Sequence, residues 1–220
     1  MPTEPSPTSP HVAGMQRFWT PAGELPLARV SRAEGLYVWD TTGRRYIDAT
    51  SGPVAVNLGH ANPRVLRALQ DQAASVCFAY PTAFESESNV RLTARLTEQA
   101  GMGLDCAFFV SSGSEAVEKC LQFARRHAIA TGQGTRFKVI SRNPSYHGST
   151  RTTMALSADP GYAALLPQGQ TGIHVPAPWS YRTPDGVDPS SYANQCAEAL
   201  RERIQAEVPE SVLAFILEPV

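Results

Sequence analysis

The chain has 220 residues, of which 42% are hydrophobic and 18% charged, and its formal net charge at pH 7 is -1. This composition is typical of a globular protein with enough apolar residues for one large core or two small ones. The near-neutral charge and the lack of a Lys/Arg cluster exclude a nucleic-acid-binding stripe, and no apolar run is long enough to span a membrane.

The N-terminal segment is rich in Pro, Ser and Thr. It has neither a basic start nor an apolar stretch, so it is not a secretory signal. We predict a disordered arm over residues 1–14. The segment 36–48 places aromatic and β-branched residues on both sides of Thr42-Gly43, which predicts a β-hairpin. Residues 54–58 fit either a short strand or an extended segment.

Two helices are predicted next. Asn62 is a good capping residue and Pro63 suits a first helical position, and the apolar residues that follow recur at helical spacing. A second helix is predicted over 88–100, with Gly101 as its stop signal.

The stretch 108–116, Phe-Phe-Val-Ser-Ser-Gly-Ser-Glu-Ala, predicts a short strand, a tight turn and the start of a helix. Ser112 and Glu115 have the spacing of a capping box, and Glu115 precedes Lys119 by four residues, the favourable order for a helix ion pair. Gly113 has no Cβ, so a ligand could approach the backbone closely. Free N–H groups flanked by hydroxyls suit a phosphate, although the same pattern also occurs in turns that bind nothing.

The remaining elements alternate strand and helix. We predict strands over 137–141 and 173–175, and a helix opened by Asp188 and Pro189. The apolar run 212–217 is typical of a strand buried on both faces of a parallel sheet. Strands alternating with helices predict an α/β fold.

The four cysteines do not form a metal-binding pattern. Cys77, Cys106, Cys120 and Cys196 are far apart in apolar or helical settings, which favours buried free thiols in a reducing cytoplasm. The chain also lacks a Walker A lysine, a dinucleotide-binding glycine fingerprint, a Gly-x-Ser-x-Gly elbow and a His-Glu-x-x-His pair, which weakens the case for the corresponding enzyme classes.

From about Phe18 to Val220, the chain resembles the class III pyridoxal-phosphate aminotransferases, with motifs in the order and approximate spacing of that family. The matching segments are Asp-Thr-Thr-Gly-Arg-Arg-Tyr-Ile-Asp (40–48), Leu-Gly-His-Ala-Asn-Pro (58–63), Ser-Gly-Ser-Glu-Ala (112–116), Lys-Val-Ile-Ser (138–141), Tyr-His-Gly-Ser-Thr (146–150) and Leu-Glu-Pro-Val (217–220).

The resemblance implies the fold-type-I architecture of pyridoxal-phosphate transferases, present incompletely as an N-terminal hairpin segment and the start of a mostly parallel sheet domain. Residues 15–76 would then belong to the small domain and residues 77–220 to the first, truncated part of the large cofactor-binding domain. It further implies a cytoplasmic enzyme that is a homodimer in its full-length form. The implied cofactor is pyridoxal 5'-phosphate, and the implied substrates are a small amino donor and a keto acid acceptor.

In the resembled family, the turn formed by Ser112, Gly113 and Ser114 holds the cofactor phosphate. The plainer interpretation of this turn is an ordinary helix cap. Tyr146 matches the aromatic residue that stacks on the pyridine ring, and its alternative is a tyrosine of the core.

Two further residues complete the implied site. His147 follows the stacking tyrosine and could contact the cofactor or support the loop. The resemblance places Glu218 near the cofactor, where it can pair with an arginine that binds a substrate carboxylate. The alternative is a charge at a strand end that reaches solvent.

This sequence departs from the family in one respect. The family needs a lysine that holds the cofactor as a Schiff base and an aspartate on the pyridinium nitrogen, and both follow the Glu-Pro-Val segment. Neither Lys119 nor Lys138 matches that lysine. We therefore expect the N-terminal part of an aminotransferase that is inactive alone. The alternatives are a non-catalytic remnant or interaction protein, and a related aminomutase that uses the same motifs.

Overall fold

The computed structural model describes residues 28–219, which fall into two compact units, one ending at Arg91 and one beginning at Leu92. The arm predicted for residues 1–14 and the C-terminal Val220 lie outside the described residues. The division into a small and a large domain at residues 76 and 77 stays a prediction. Within residues 28–219, no helix has both the length and the apolar character needed to cross a membrane.

The first unit contains an antiparallel sheet with the order β1 (Val30–Glu34), β2 (Tyr37–Asp40) and β3 (Arg45–Ile47). The pair β2–β3 confirms the predicted hairpin. β1 was not predicted because its sequence, Val-Ser-Arg-Ala-Glu, has no alternating apolar pattern.

Asp40 organises the turn between β2 and β3. Its Oδ1 accepts hydrogen bonds from the backbone N–H groups of Thr42 (2.9 Å) and Arg44 (3.0 Å), and its Oδ2 accepts one from the Tyr46 hydroxyl (2.8 Å). The hydroxyl groups of Thr42 and Tyr46 are the main reason why the pKa of Asp40 falls to about 2. The turn is therefore built around an ionised carboxylate.

Gly59 and His60 of the Leu-Gly-His-Ala-Asn-Pro motif contact Gly35, the residue that follows β1. Gly35 and His60 exchange two backbone hydrogen bonds of 2.9 Å each, and His60 Nε2 lies 2.7 Å from Asp48 Oδ2. A Cβ on Gly59, whose φ is +83°, would lie 3.3 Å from the Gly35 carbonyl oxygen. The glycine is needed for its backbone conformation and for this close approach.

Short helix α1 (Ser51–Val54) follows the sheet, so the extended or strand conformation predicted from residue 54 is wrong at that residue. Helix α2 (Pro63–Ser75) begins as predicted: Asn62 Oδ1 accepts hydrogen bonds from the N–H groups of Arg64 (3.1 Å) and Val65 (3.4 Å). Helix α3 (Glu87–Ala100) begins one residue before its predicted start.

The second unit is built on a parallel sheet with β4 (Lys138–Asn143) at its centre and β5 (Ile173–Pro176) and β6 (Val212–Phe215) on either side. Around these strands the chain forms α4 (Gly113–Ala130), α5 (Arg151–Leu156), α6 (Pro160–Ala163) and α7 (Pro189–Ala206). The predicted α/β fold with a parallel sheet is confirmed.

The central strand is covered on both faces. Ile140 and Ser141 are consecutive and both are 0% exposed, so their side chains are buried on opposite faces of the sheet. Ile140 belongs to an apolar cluster with Leu200 and Ile204 of α7, whereas Ser141 Oγ donates a hydrogen bond to the Leu156 carbonyl at the end of α5 (2.7 Å). Helices on both faces are the usual setting of a parallel sheet.

The strand predicted before α4 is not formed, because residues 108–110 pair with no strand in the described part of the chain. The Phe108 ring instead contacts the Phe123 ring edge-on, with the ring centroids 5.8 Å apart. The predicted ion pair between Glu115 and Lys119 is also absent. Lys119 Nζ donates to Gln122 Oε1 (3.0 Å), and an exposed helix ion pair contributes too little energy to exclude such a contact.

The prediction of buried cysteines is wrong for three of the four residues: Cys77, Cys106 and Cys120 are exposed, and Cys196 is buried. Likewise, α2 and α3 have the predicted apolar faces but no buried residue. The sequence pattern identifies an apolar face correctly. It does not identify what covers that face, and nothing within residues 28–219 does so.

We predict that Asp40 stabilises the first unit in a pH-dependent way. Its pKa in the folded protein is about 2, below the ordinary value of 3.8, so its contribution is fully present above pH 4 and is lost as the pH falls toward 2. Asp40→Asn should therefore lower the denaturation midpoint at pH 7, and the difference from wild type should shrink between pH 4 and pH 2.

Urea denaturation at a series of pH values measures this difference. Asp71→Asn on the exposed surface of α2 is the control for loss of a carboxylate. A difference between wild type and Asp40→Asn that stays constant down to pH 2 would contradict the prediction.

Candidate functional site

The N-terminus of α4 has unsatisfied hydrogen-bond donors. Ser112 caps the helix: its Oγ accepts from the N–H of Glu115 (3.2 Å) and its carbonyl from that of Ala116 (3.0 Å). Within residues 28–219, the N–H groups of Gly113 and Ser114 have no acceptor. A Cβ built on Gly113 meets nothing within 4 Å, so an anion has room to reach this positive end of the helix dipole.

The second half of the capping box is shifted by one residue. Glu115 Oε2 accepts from the backbone N–H of Ser111 (2.8 Å) and not from that of the capping residue. The carboxylate of Glu115 thus closes the turn that precedes the helix.

The loop after β4 docks on this helix end through Ser149. The backbone N–H of Ser149 donates to Ser114 Oγ (3.0 Å), and Ser149 Oγ lies 3.3 Å from the Tyr146 hydroxyl oxygen. Gly148 permits this approach. Its φ is +129°, and a Cβ at this position would lie 2.5 Å from Ser114 Oγ and 2.8 Å from Thr153 Oγ1.

Tyr146 borders a cavity of the second unit with a volume of about 720 Å³. The residue is 57% exposed and its ring centroid lies 6.4 Å from that of Tyr162, so part of the ring is open to a further aromatic contact. The cavity lining is mostly apolar and includes three charged side chains. The lining residues are Arg142, Pro144, Ser145, Tyr146, Ala158, Asp159, Pro160, Ala177, Pro178, Trp179, Glu218 and Pro219.

Glu218 joins the end of β6 to the same loop. Its Oε2 accepts from the backbone N–H of Tyr146 (3.1 Å), and its carbonyl accepts from the guanidinium of Arg142. These contacts are possible because β4 and β6 are parallel, so their carboxyl ends lie at one edge of the sheet.

His147 lies beneath the loop and is only 7% exposed. Its backbone N–H donates to Ser157 Oγ (2.8 Å), and its ring Nε2 is buried with no partner among residues 28–219. Burial lowers the pKa of His147; Arg142 lowers it further, while Glu218 partly opposes the shift. The ring is therefore uncharged at neutral pH.

The structure connects the predicted residues Ser114, Tyr146 and Glu218 through hydrogen bonds of one loop, while Ser112 acts as the helix cap and His147 is buried behind that loop. No role was predicted for Ser149, although it lies inside the Tyr-His-Gly-Ser-Thr motif. No role was predicted for Arg142 either, whose only signal is its place near the end of a predicted strand.

These residues fit the phosphate and the ring of pyridoxal 5'-phosphate. The open N–H groups of Gly113 and Ser114 suit an anion, and the exposed ring of Tyr146 suits a flat heteroaromatic group. Ser149 links the two, with contacts of 3.0 and 3.3 Å, so both features lie within the span of one small molecule.

The family model for class III aminotransferases matches residues 20–220. The chain is 32% identical over 197 residues to the putrescine–pyruvate aminotransferase of Pseudomonas aeruginosa, and the alignment covers 87% of this chain and 42% of that enzyme. It is 31% identical over 207 residues to the diaminobutyrate–2-oxoglutarate transaminase of Halomonas elongata, covering 90% of this chain and 43% of that enzyme. The chain thus spans less than half the length of these relatives.

Solved transaminase structures also resemble this chain over about half of their own length. The omega transaminase of Pseudomonas jessenii in complex with PMP superposes with a TM-score of 0.86 at 31% identity, over 94% of this chain and 47% of that one. A thermostable (S)-enantioselective omega-transaminase of Thermomicrobium roseum superposes with a TM-score of 0.83 at 32% identity, over 96% and 47%. The predicted fold-type-I architecture, present in part, is confirmed.

We predict that Gly148→Ala destabilises the second unit by about 1–3 kcal/mol, because the added Cβ would clash with the hydroxyl groups of Ser114 and Thr153. Gly113→Ala is the matched control, since its Cβ meets no atom within 4 Å and should leave stability unchanged or slightly higher. Chemical denaturation of both variants measures the difference. Equal stabilities would show that the loop does not pack against the helix end.

Proposed function

The chain belongs to the class III aminotransferases, and we propose that the protein carrying it moves an amino group from an amine or amino acid to a keto acid with pyridoxal 5'-phosphate as cofactor. The observation that supports this proposal best is the position of Ser149. It connects an open helix N-terminus, through Ser114, to an exposed aromatic ring, that of Tyr146. The cofactor, when bound, supplies the electron sink for the reaction.

The phosphate group is proposed to lie at the N-terminus of α4. The backbone N–H groups of Gly113 and Ser114 would donate to it, and the Ser114 hydroxyl, which accepts from Ser149, has its own proton available to donate. Ser112 holds the helix end in shape through its bond to Glu115. Binding by backbone dipoles needs no positively charged side chain.

Tyr146 is proposed to stack on the pyridine ring and to exclude water from one face of it. His147 is proposed to act from beneath this loop. Because its ring is buried and uncharged, it is suited to holding the loop or to hydrogen bonding through the unpartnered Nε2, and not to anion binding.

Glu218 is proposed to face the substrate side of the site. It lies on the wall of the cavity, and one carboxylate oxygen is bonded to the N–H of Tyr146. A carboxylate that has a further oxygen free can accept from a cationic group of the protein or of the substrate.

Within residues 28–219, neither Lys119 nor Lys138 lies on the cavity wall beside Tyr146. Lys138 begins β4, about 17 Å along the strand from Asn143, the end that leads into the loop of Tyr146. Its Nζ is bonded to the Glu207 carbonyl (2.8 Å) and to Glu207 Oε2 (3.0 Å). Lys119 Nζ lies over the Phe108 ring, 5.5 Å from its centroid. We therefore propose that the 220-residue chain is inactive alone and that the reaction belongs to a longer protein.

Association with further polypeptide is consistent with this proposal. The exposed large apolar side chains include Val65, Leu66 and Leu69 of α2 and Leu92 and Leu96 of α3. Exposed apolar side chains on each unit are consistent with contact to further polypeptide. We propose a homodimer for the full-length protein, and the cytoplasmic location inferred from the sequence stays a prediction.

The reaction can be tested with the full-length protein, loaded with pyridoxal 5'-phosphate and supplied with diamines or ω-amino acids as donors. We expect pyruvate or 2-oxoglutarate to be converted to the corresponding amino acid, as measured by chromatography, and no conversion with the 220-residue chain. Rearrangement of an amino acid without any keto acid would indicate an aminomutase. Absence of cofactor binding in the full-length protein would indicate a non-catalytic remnant.

Gly113→Val in the full-length protein should weaken cofactor binding about 10- to 100-fold, because a branched side chain would block access to charge-assisted N–H contacts. Gly134→Val is the control, since a Cβ at that position also meets nothing within 4 Å and lies outside the site. Cofactor fluorescence titration measures the dissociation constants. Equal values for the two variants would show that the turn has a structural role alone.

A further inference from the structure

Two arginines tie β4 to β6, one at each end of the strand pair. At the amino end, Arg136 Nη1 donates to the carbonyl oxygens of Val212 (2.7 Å) and Pro209 (2.9 Å). At the carboxyl end, the guanidinium of Arg142 donates to the carbonyl oxygen of Glu218. Both arginines donate to backbone carbonyl oxygens, but Arg142 lines the cavity beside Tyr146 and Arg136 does not.

The bond from Arg142 replaces backbone pairing that has ended. The last backbone hydrogen bond between the two segments runs from the N–H of Ile216 to the Ile140 carbonyl (2.9 Å). Two residues further along each segment, at Arg142 and Glu218, there is no backbone hydrogen bond between the two segments. The side chain of Arg142 supplies the donor for a carbonyl that would otherwise need one.

Glu218 is therefore held through both its backbone and its side chain. Its carbonyl accepts from Arg142, and its carboxylate accepts from the backbone N–H of Tyr146 (3.1 Å). The loop is also tied to the backbone of Arg142, because Ser145 Oγ donates to the Arg142 carbonyl (2.6 Å). A continuous chain of contacts therefore runs from Arg142 through Glu218 to the residue that carries the exposed ring.

We propose that Arg142 is a positioning residue that sets the place of the Tyr146 ring by holding Glu218. This inference rests on the proposed function, since it concerns the ring that would stack on the cofactor. Arg136 makes the same kind of bond between the same strands but contacts nothing at the site. Its role is to stabilise the strand pair, and it provides a control matched in chemistry.

The test compares Arg142→Met, Arg142→Lys and Arg136→Met in the full-length protein. Pyridoxal 5'-phosphate affinity, the visible circular dichroism of the bound cofactor and the denaturation midpoint are measured for each. We expect Arg142→Met to bind the cofactor about tenfold more weakly and to lose part of the dichroic band, as for loss of one charge-assisted contact. Arg142→Lys retains a donor and should recover part of both signals.

Arg136→Met should lower the denaturation midpoint but leave the affinity and the dichroic band as in wild type. Equal effects of Arg136→Met and Arg142→Met on the cofactor would overturn the inference, because strand pairing in general would then explain both. Wild-type affinity and dichroism in Arg142→Met would overturn it as well.

Glu218→Ala tests the same chain of contacts if Arg142→Met fails to fold. It removes the acceptor for the Tyr146 N–H and should reduce the dichroic band, whereas an unchanged band would contradict the proposal. Full-length wild type that binds no pyridoxal 5'-phosphate would overturn the proposed function and this inference with it. Normal binding in wild type with unaffected variants would overturn the inference alone.

Discussion

The parallel pairing of β4 with β5 and β6 is the constraint on which the site depends. Parallel strands end at the same edge, so the loop after β4, the segment after β5 and the segment after β6 all reach one place. Tyr146, Trp179 and Glu218 come from these three connections and line one cavity. Burial of Ile140 in the apolar cluster favours this pairing, because a shift by one residue would move Ile140 out of that cluster to the face where Ser141 now bonds the Leu156 carbonyl.

The loop that carries Tyr146 is held by buried hydroxyl groups. Thr153 Oγ1 accepts from the N–H of Thr150 (2.8 Å), and Thr150 Oγ1 donates to Glu118 of α4 (2.7 Å). Ser157 Oγ donates to the Thr153 carbonyl and accepts from the N–H of His147, each at 2.8 Å. Hydrogen bonds have directional requirements that apolar contacts lack, so this network defines the loop position more narrowly than packing would.

The sequence was informative where local chemistry decides the structure. α2 begins at Pro63 and α7 at Pro189 as predicted, because Asn62 and Asp188 supply the caps through short-range hydrogen bonds. The sequence did not predict correctly those elements whose formation depends on residues far away in the chain. The apolar run 108–110 needs a neighbouring strand that residues 28–219 do not provide, and α5, with six residues, is too short to show a helical period.

The site itself was predictable in part for the same reason. The helix start at Ser112 and Gly113 could be predicted from a turn and a cap, whereas the cofactor roles of Ser112, Gly113, Ser114 and Tyr146 came from the family motifs and stay predictions. The contact of Arg142 with Glu218 could not, because it depends on the register in which β4 and β6 pair. A sequence shows that a strand exists, but the residue that lies opposite each position is fixed only by the folded sheet.

The charged side chains and the backbone N–H groups of the candidate site have different roles. Arg142 and Glu218 line the cavity, but they are already bonded to each other's segment and to Tyr146. At the start of α4, the N–H groups of Gly113 and Ser114 have no acceptor among residues 28–219, whereas the unpartnered side-chain nitrogens, Arg142 Nε and His147 Nε2, are buried. Because a backbone donor cannot be removed by changing a side-chain charge, the anion binding proposed for this turn would depend on the shape of the turn. The charged side chains instead fix the geometry of the ring beside it.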